Sequence, residues 1–259
     1  MDIQHVDNGD YGRYEELLLQ RDALEKEAFL YGREYTRVFG GRIVAAFELK
    51  VDCIALKKAI AFYITAKNRG AVPDADELAA KLGAEMAAYR ARLEALQAEK
   101  EAAGKGRPIG AYELGEIKKI YRRIARQLHP DLSPLILTYP ELNDLFQRAM
   151  IAYQCNDLKE LRALEVLIGT ALREKGVESF YAEIPDIEAR IAELEEEIGQ
   201  ILSGEPYRYK ELLSDAERIR KKEEELDADV EEYTRYKAEL TAQLNELKEE
   251  AKTQWRILN

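Results

Sequence analysis

Cysteine and histidine are scarce in this chain, which has two of each among its 259 residues. Cys53 and Cys155 lie far apart in the sequence and form no CxxC or other metal-ligand spacing. The sequence therefore gives no reason to propose a zinc or iron centre or a bound cofactor. We expect both thiols to be small apolar residues buried in a protein of a reducing compartment.

Long apolar runs are missing as well. The most apolar stretch, residues 43–66, is interrupted by five charged side chains and cannot cross a bilayer. The chain begins with MDIQHVDNGD, which is acidic and polar and has neither the basic start nor the apolar centre of a signal peptide. We therefore expect a soluble, cytoplasmic protein without a membrane segment. The interrupting residues are Glu48, Lys50, Asp52, Lys57 and Lys58.

Glycine and proline are also infrequent, with 15 and 7 residues, whereas 34% of the residues are charged and 46% are hydrophobic. This composition is typical of helices and coiled coils, and it predicts an all-α fold. The formal net charge of -11 makes the chain a poor overall match for DNA, RNA or an anionic membrane. We expect no nucleic-acid partner, and a local cluster of cations then requires its own explanation.

The first predicted segment, residues 1–103, is a helical bundle or hairpin with short joints. Gly40 and Gly41 are expected to break its first helix, and Asn68 to Gly70 is expected to end the second. Apolar periodicity predicts helices over residues 11–39, 42–67 and 74–103.

A basic amphipathic helix runs from Glu116 to Leu128 and continues into the tripeptide His129-Pro130-Asp131. Its apolar residues recur at steps of three and four, and its cations lie mainly on the remaining arc, facing water. Such an arc is a docking surface for an anion-rich partner. The apolar stripe is Ile117, Ile120, Tyr121, Ile124 and Leu128, and the cations are Lys118, Lys119, Arg122, Arg123 and Arg126.

The tripeptide predicts a rigid corner at the end of this helix. Proline disfavours the α conformation for the residue before it, so the helix should end at about Leu128 or His129. Pro130 and Pro134 fix two φ angles in the loop that follows. We expect His129 and Asp131 to be exposed on this corner, with their side chains pointing apart.

Two further helices complete the second predicted segment, residues 110–175. One runs from Pro140 to Tyr153, and its apolar stripe has the right length to pack antiparallel against the basic helix. The next is capped by Asp157 and ends near Gly176. The sequence GKGRPIG, residues 104–110, is a flexible joint that marks the boundary before this segment.

The third predicted segment, residues 183–259, is a coiled coil in which apolar residues step by three and four. Gly204-Glu205-Pro206 interrupts it. Such helices pair either with a second copy, in a homodimer, or back on the first segment. The sequence does not choose between these two arrangements.

Residues 116–134, EIKKIYRRIARQLHPDLSP, resemble the second helix and signature loop of a J domain, the DnaJ family of cochaperones. The similarity covers residues 112–172, and LFQRAMIAY resembles the family's third helix. J domains contact a DnaK-type ATPase chaperone and stimulate its ATP hydrolysis, which locks the chaperone onto its client. The resemblance implies a trigger formed by His129, Pro130 and Asp131, and a docking face formed by Lys118, Tyr121, Arg122, Arg123 and Arg126.

The chain departs from the family in three respects. The family's short first helix is not recognisable in GRPIGAYELG, so another helix must cover that side, and the predicted helix 74–103 is a candidate. Leu132 stands where the family usually has a basic residue. The glycine- and phenylalanine-rich linker, the cysteine-rich zinc module and the β-rich client domain of larger cochaperones are absent from the sequence.

The leading hypothesis is a cochaperone-like protein, in which the coiled-coil arms select a client or a site of action. Because it would activate another protein's ATPase, it would not itself be an enzyme. The alternative is a structural or scaffold protein with an inactive J-like module. The two hypotheses differ in exposure: His129 and Asp131 should be exposed in a cochaperone and covered by the flanking arms in a scaffold.

Two weaker alternatives start from the same residues. A basic helix can lie on nucleic-acid phosphate, in which case affinity should fall steeply with salt. Catalysis by His129 and Asp131 is disfavoured, because no serine or cysteine nucleophile motif accompanies them.

Overall fold

The computed structural model describes residues 8–104, 110–176 and 186–258. Residues 105–109 of the predicted joint lie outside the described residues. The described residues contain helices and no strand, which confirms the all-α prediction. The helices, numbered in chain order, are α1 (Asn8–Asn68), α2 (Ala75–Gly104), α3 (Ala111–Leu128), α4 (Leu135–Thr138), α5 (Pro140–Gln154), α6 (Leu158–Glu174), α7 (Ile187–Ser203), α8 (Tyr209–Leu213) and α9 (Ala216–Leu258).

The predicted break at Gly40 and Gly41 is wrong, because α1 continues through both glycines for 61 residues. Each glycine in a helix costs on the order of 1 kcal/mol relative to alanine, which tertiary packing can offset. Gly40 lies at such a contact, since a Cβ atom placed there would be 3.6 Å from the Cβ atom of Lys100 in α2. The predicted stop is correct: α1 ends at Asn68, and Gly70 has a positive φ of 66°.

The chain divides into two compact units that interleave along the sequence. One comprises Met1–Gly32 and Arg107–Lys210, and the other comprises Arg33–Gly106 and Glu211–Asn259. The three segments predicted from the sequence, residues 1–103, 110–175 and 183–259, are instead consecutive. Helix α1 contributes to both units, and α7 and α9 belong to different ones.

In the second unit, α2 and α9 pack against the later half of α1. Helix α2 is antiparallel to α1, since Lys58 pairs with Glu85 while Gly40 lies near Lys100. Helix α9 runs parallel to α1, because three pairs join the two helices at nearly constant sequence separation. They are Arg42–Asp227 (2.8 Å), Asp52–Lys237 (2.6 Å) and Lys67–Glu250 (2.6 Å).

In the first unit, α3, α5 and α6 form a module around one apolar core. Tyr121 stacks on Tyr153 at 4.0 Å between ring centroids, and the ring of His129 meets Phe146 edge-on at 5.6 Å. The residue at the end of α3 therefore meets the earlier residue of α5, so the two helices are antiparallel, as predicted. The core residues of the three helices are Ile117, Ile120, Tyr121, Ile124, Ala125, Leu128, Leu142, Phe146, Ala149, Ala152, Tyr153, Leu161, Leu164, Ile168 and Leu172.

The ends of these helices follow the predicted signals. The carboxylate of Asp157 accepts a hydrogen bond from the backbone N–H of Glu160 at 2.9 Å and caps α6. Gly176 follows α6 with a positive φ of 67°. Helix α3 ends at Leu128, directly before His129.

The early part of α1 and helix α7 pack beside this module in the same unit. Tyr14 and Leu18 of α1 share an apolar cluster with Ile191 and Leu194 of α7 and with Leu132. In each unit, the C-terminal helix therefore packs back on α1, which is one of the two pairings that the sequence left open. Within the part of the chain that the structure describes, no helix is both long and apolar enough to span a membrane.

Candidate partner-binding surface on α3

The loop after α3 is a tight turn closed by the carbonyl of His129. This carbonyl accepts hydrogen bonds from the backbone N–H of Leu132 at 2.9 Å and of Ser133 at 2.8 Å. The N–H of His129 itself completes the last turn of α3 by donating to the carbonyl of Ala125 at 2.8 Å. The corner is therefore stiff, as the two prolines predicted.

His129 is not exposed on this corner, which corrects the sequence-based expectation. Only 4% of the residue is accessible to solvent. The early part of α1 covers it, with Arg21 Nη2 at 3.4 Å and Asp22 Oδ2 at 3.8 Å from its Nε2 atom. Burial lowers the pKa of His129, and the nearby carboxylates of Asp22 and Asp131 partly oppose that shift.

The side chains of His129 and Asp131 do not point apart, which is a second correction. His129 Nδ1 lies 3.7 Å from Asp131 Oδ2 and accepts a hydrogen bond from the backbone N–H of Asp131 at 3.2 Å. The turn brings the two together because it folds the chain back over the end of α3. Pro130 is exposed, and the side chain of Asp131 is 40% exposed.

One edge of α3 is covered by α1, and we call it the covered edge: Lys118, Tyr121 and His129. The hydroxyl of Tyr121 donates to Asp22 Oδ2 at 2.8 Å, and Lys118 Nζ donates to Glu27 Oε1 at 3.1 Å. Burial, the charge of Asp22 and this hydrogen bond raise the pKa of Tyr121, so it remains a neutral donor.

The other edge, which we call the open edge, consists of Arg122, Arg123 and Arg126, all of them exposed. Arg123 forms a bidentate pair with Glu165 of α6 at 2.5 and 3.1 Å. Arg126 pairs with Glu15 of α1 at 2.6 Å. Among the described residues, Arg122 has no hydrogen-bond or ion-pair partner. The predicted docking face is thus divided between a covered and an open edge.

The helix that covers the module is α1, whereas the predicted candidate was the helix at 74–103. Its direction is antiparallel to α3, because Glu15, Asp22 and Glu27 meet Arg126, Tyr121 and Lys118 in reverse order. These three acids lie seven and five residues apart along α1. They were not identified from the sequence, where they are only three of the many acidic residues along a charged helix.

Lys26 is a further residue that sequence reasoning missed. It is 2% exposed, donates to the carbonyl of Tyr153 at 2.7 Å and lies 3.8 Å from the centroid of that ring. Burial, reinforced by the charge of Lys118, lowers the pKa of Lys26 to about 7. The only sequence signal is its spacing of four and eight residues from Asp22 and Leu18, which places it on the buried side of α1.

The site thus belongs to an all-α protein in which a three-helix module ends in a stiff His-Pro-Asp corner. No group of three or more histidine, cysteine, aspartate or glutamate side chains among the described residues could hold a metal ion. No protein-family model, curated protein or solved structure matches the chain. The J-domain similarity therefore remains a resemblance carried by the residues themselves.

Proposed function

We propose that the chain is a cochaperone-like protein whose α3–α6 module binds a DnaK-type ATPase chaperone and stimulates its ATP hydrolysis. The observation that carries this proposal is the open edge: three exposed arginines lie on the helix that ends at His129-Pro130-Asp131. Together with exposed Pro130 and half-exposed Asp131, they form a surface that a partner can reach without any rearrangement.

The charges on the open edge suit a reversible complex with an acidic surface. The pairs of Arg123 with Glu165 and of Arg126 with Glu15 have guanidinium groups that are about half exposed, and such pairs contribute little to stability. A partner's carboxylates can therefore replace the internal ones at small cost. Because the chain as a whole has a net charge of -11, these local cations would also orient an incoming partner.

The long helices would then provide selection of a client or of a site of action. The later half of α1 and α9 form a parallel pair held by exposed and half-exposed ion pairs. Coiled-coil surfaces of this kind are suited to recognise another helix. A homodimer through these helices is a compatible arrangement.

A scaffold protein is the second candidate, and a specific observation favours it. His129, the implied trigger, is 4% exposed and is held between α1 and Phe146. In that case the module is a packing element, and the helical arms carry the function. A covered corner is what we expect of a scaffold, and His129 is covered whereas the side chain of Asp131 is 40% exposed.

Steady-state ATP hydrolysis by the host's DnaK-type chaperone tests the proposal. We expect the native chain to stimulate hydrolysis, and the His129→Gln and Asp131→Asn variants to lose that stimulation. Asp229→Asn is a matched control, because Asp229 is an exposed aspartate of α9 without a hydrogen-bond or ion-pair partner among the described residues. Loss of stimulation in this control, or equal stimulation by all the variants, would contradict the assignment of the corner.

A further inference from the structure

The early part of α1 and the module meet through a mixed surface in which polar contacts predominate. The core of α3, α5 and α6 contains a single buried residue of α1 among the described residues, Leu19, which is 6% exposed. Tyr14 and Leu18 instead pack mainly with α7, and from the module's side only Leu132 joins them. Removing α1 would therefore leave the apolar core of the module nearly complete.

The polar contacts under α1 are incompletely satisfied. The Nε atom of Arg21 is buried without a hydrogen-bond partner. Lys26 is buried with its charge facing a carbonyl and a ring, and no carboxylate pairs with it among the described residues. Such buried polar groups destabilise the packing of α1 on the module, because they lose hydration without full compensation.

The outer contacts of the same segment are ion pairs near solvent. Glu15 with Arg126 and Glu27 with Lys118 lie at its two ends, and the lysine and arginine side chains are 41% and 55% exposed. A partner that brings carboxylates to the open edge would compete directly with Glu15 for Arg126. This exchange links binding at the open edge to the contacts that hold α1 in place.

We propose that residues 14–27 of α1 are a releasable cover, which keeps His129 and Tyr121 from a partner until an acidic surface displaces it from α3. The cover imitates that partner, since it presents carboxylates to the same cations. While the cover lies on α3, which we call the closed state, the partner makes a weak first contact with the open edge. Release of the cover then completes the docking face. This inference rests on the proposed function for the identity of the partner, but the cover itself can be tested without one.

Accessibility of His129 measures the closed state directly. The chain has only two histidines, so in a His5→Gln background carbethoxylation by diethylpyrocarbonate reports on His129 alone, followed by peptide mass spectrometry. Glu15→Gln with Glu27→Gln removes the charge from both ion pairs and leaves buried Asp22 in place. We expect His129 to react faster, on the order of twofold to tenfold, because the two exposed ion pairs supply a small part of the contacts that hold the cover.

A matched control makes the same change in net charge at acids of α1 that form no ion pair with a described residue. Glu16 and Glu48 are exposed residues of α1 without a hydrogen-bond or ion-pair partner among the described residues, and their double change to Gln should leave the His129 rate unchanged. A charge exchange provides a second check: Glu15→Arg should accelerate the reaction, and Glu15→Arg with Arg126→Glu should restore protection.

The ATPase assay with the Glu15→Gln, Glu27→Gln variant separates the two proposals. Faster modification together with stimulation above that of the control variant supports both. Faster modification without any stimulation overturns the proposed function and leaves the cover standing. Unchanged modification of His129 overturns the cover, whatever the ATPase activity.

Discussion

The covered and open edges of α3 both carry residues for which the sequence predicts partner binding, but they differ in how those residues are held. At the covered edge, the Tyr121 hydroxyl and the His129 ring lie beside the carboxylate of Asp22, away from water. At the open edge, Arg122 and Arg123 extend into solvent. A basic helix is therefore not one functional surface, since packing buries one edge in the structure and leaves the other accessible.

The two edges should differ most in how much the free energy of unfolding falls when an acidic partner of each edge is removed. Asp22→Ala should lower the free energy of unfolding of the module by about 2–4 kcal/mol, because it leaves the Tyr121 hydroxyl buried without its acceptor and leaves Arg21 only its longer pair with Glu197, at 3.6 Å. Glu165→Ala, which removes the partner of half-exposed Arg123, should cost less than about 1 kcal/mol. Hydrogen exchange of the α3 amides measures both. Equal costs would mean that the two edges are held alike.

A pH titration measures how Lys26 affects stability beneath α1, next to the covered edge. The folded pKa of Lys26 is about 7, below its ordinary value of 10.5, so the unfolded chain binds more protons between these limits. The contribution of Lys26 to stability should therefore increase as pH rises above 7, by about 2 kcal/mol between pH 7 and 9. Urea unfolding of native protein and Lys26→Met should show a shallower pH dependence in the variant.

The control for this titration is Lys159→Met, because Lys159 is exposed on α6. That variant should keep the native pH dependence. The assignment would fail if the Lys159 and Lys26 variants had the same slope, since the slope would then arise elsewhere.

The smallest effect on stability is expected at the open edge. Arg122→Ala should change the free energy of unfolding by less than about 0.5 kcal/mol, because Arg122 is exposed and has no hydrogen-bond or ion-pair partner among the described residues. Its association with a DnaK-type chaperone should nevertheless be slower and less dependent on salt. Stopped-flow measurements at low and high ionic strength test this.

Arg162→Ala is the matched control for that measurement, because it removes an exposed arginine from α6 of the same module. If both variants slow association equally, the effect is one of net charge and not of the open edge. The triple change of Lys118, Arg122 and Arg123 to alanine should slow association further. Unchanged binding at low salt would contradict the docking-face assignment.

Local signals predicted the module well. The proline after His129 ended α3 at Leu128, Asp157 capped α6, and the apolar stripes of α3 and α5 met as expected. These features depend on neighbours within a few residues, so the sequence contains them in full. The continuity of α1 through Gly40 was missed, because the contact with Lys100 that accompanies it is distant in sequence.

The exposure of the candidate site was not predictable for the same reason. Glu15, Asp22 and Glu27 are separated by about a hundred residues from the side chains of α3 that they meet. Nothing in a charged helical sequence distinguishes them from other acids. Lys26 reads as a surface lysine until the packing of α1 against Tyr153 is known.

The helices of the module, its apolar core and the stiff corner at His129-Pro130-Asp131 follow from local sequence. Helix periodicity, capping and proline geometry act over single turns, so they need no tertiary information. Which part of the corner meets solvent depends instead on tertiary packing. Burial of His129 beside Asp22 depends on a helix that the chain supplies about a hundred residues earlier, and such long-range contacts are set by packing of the whole unit.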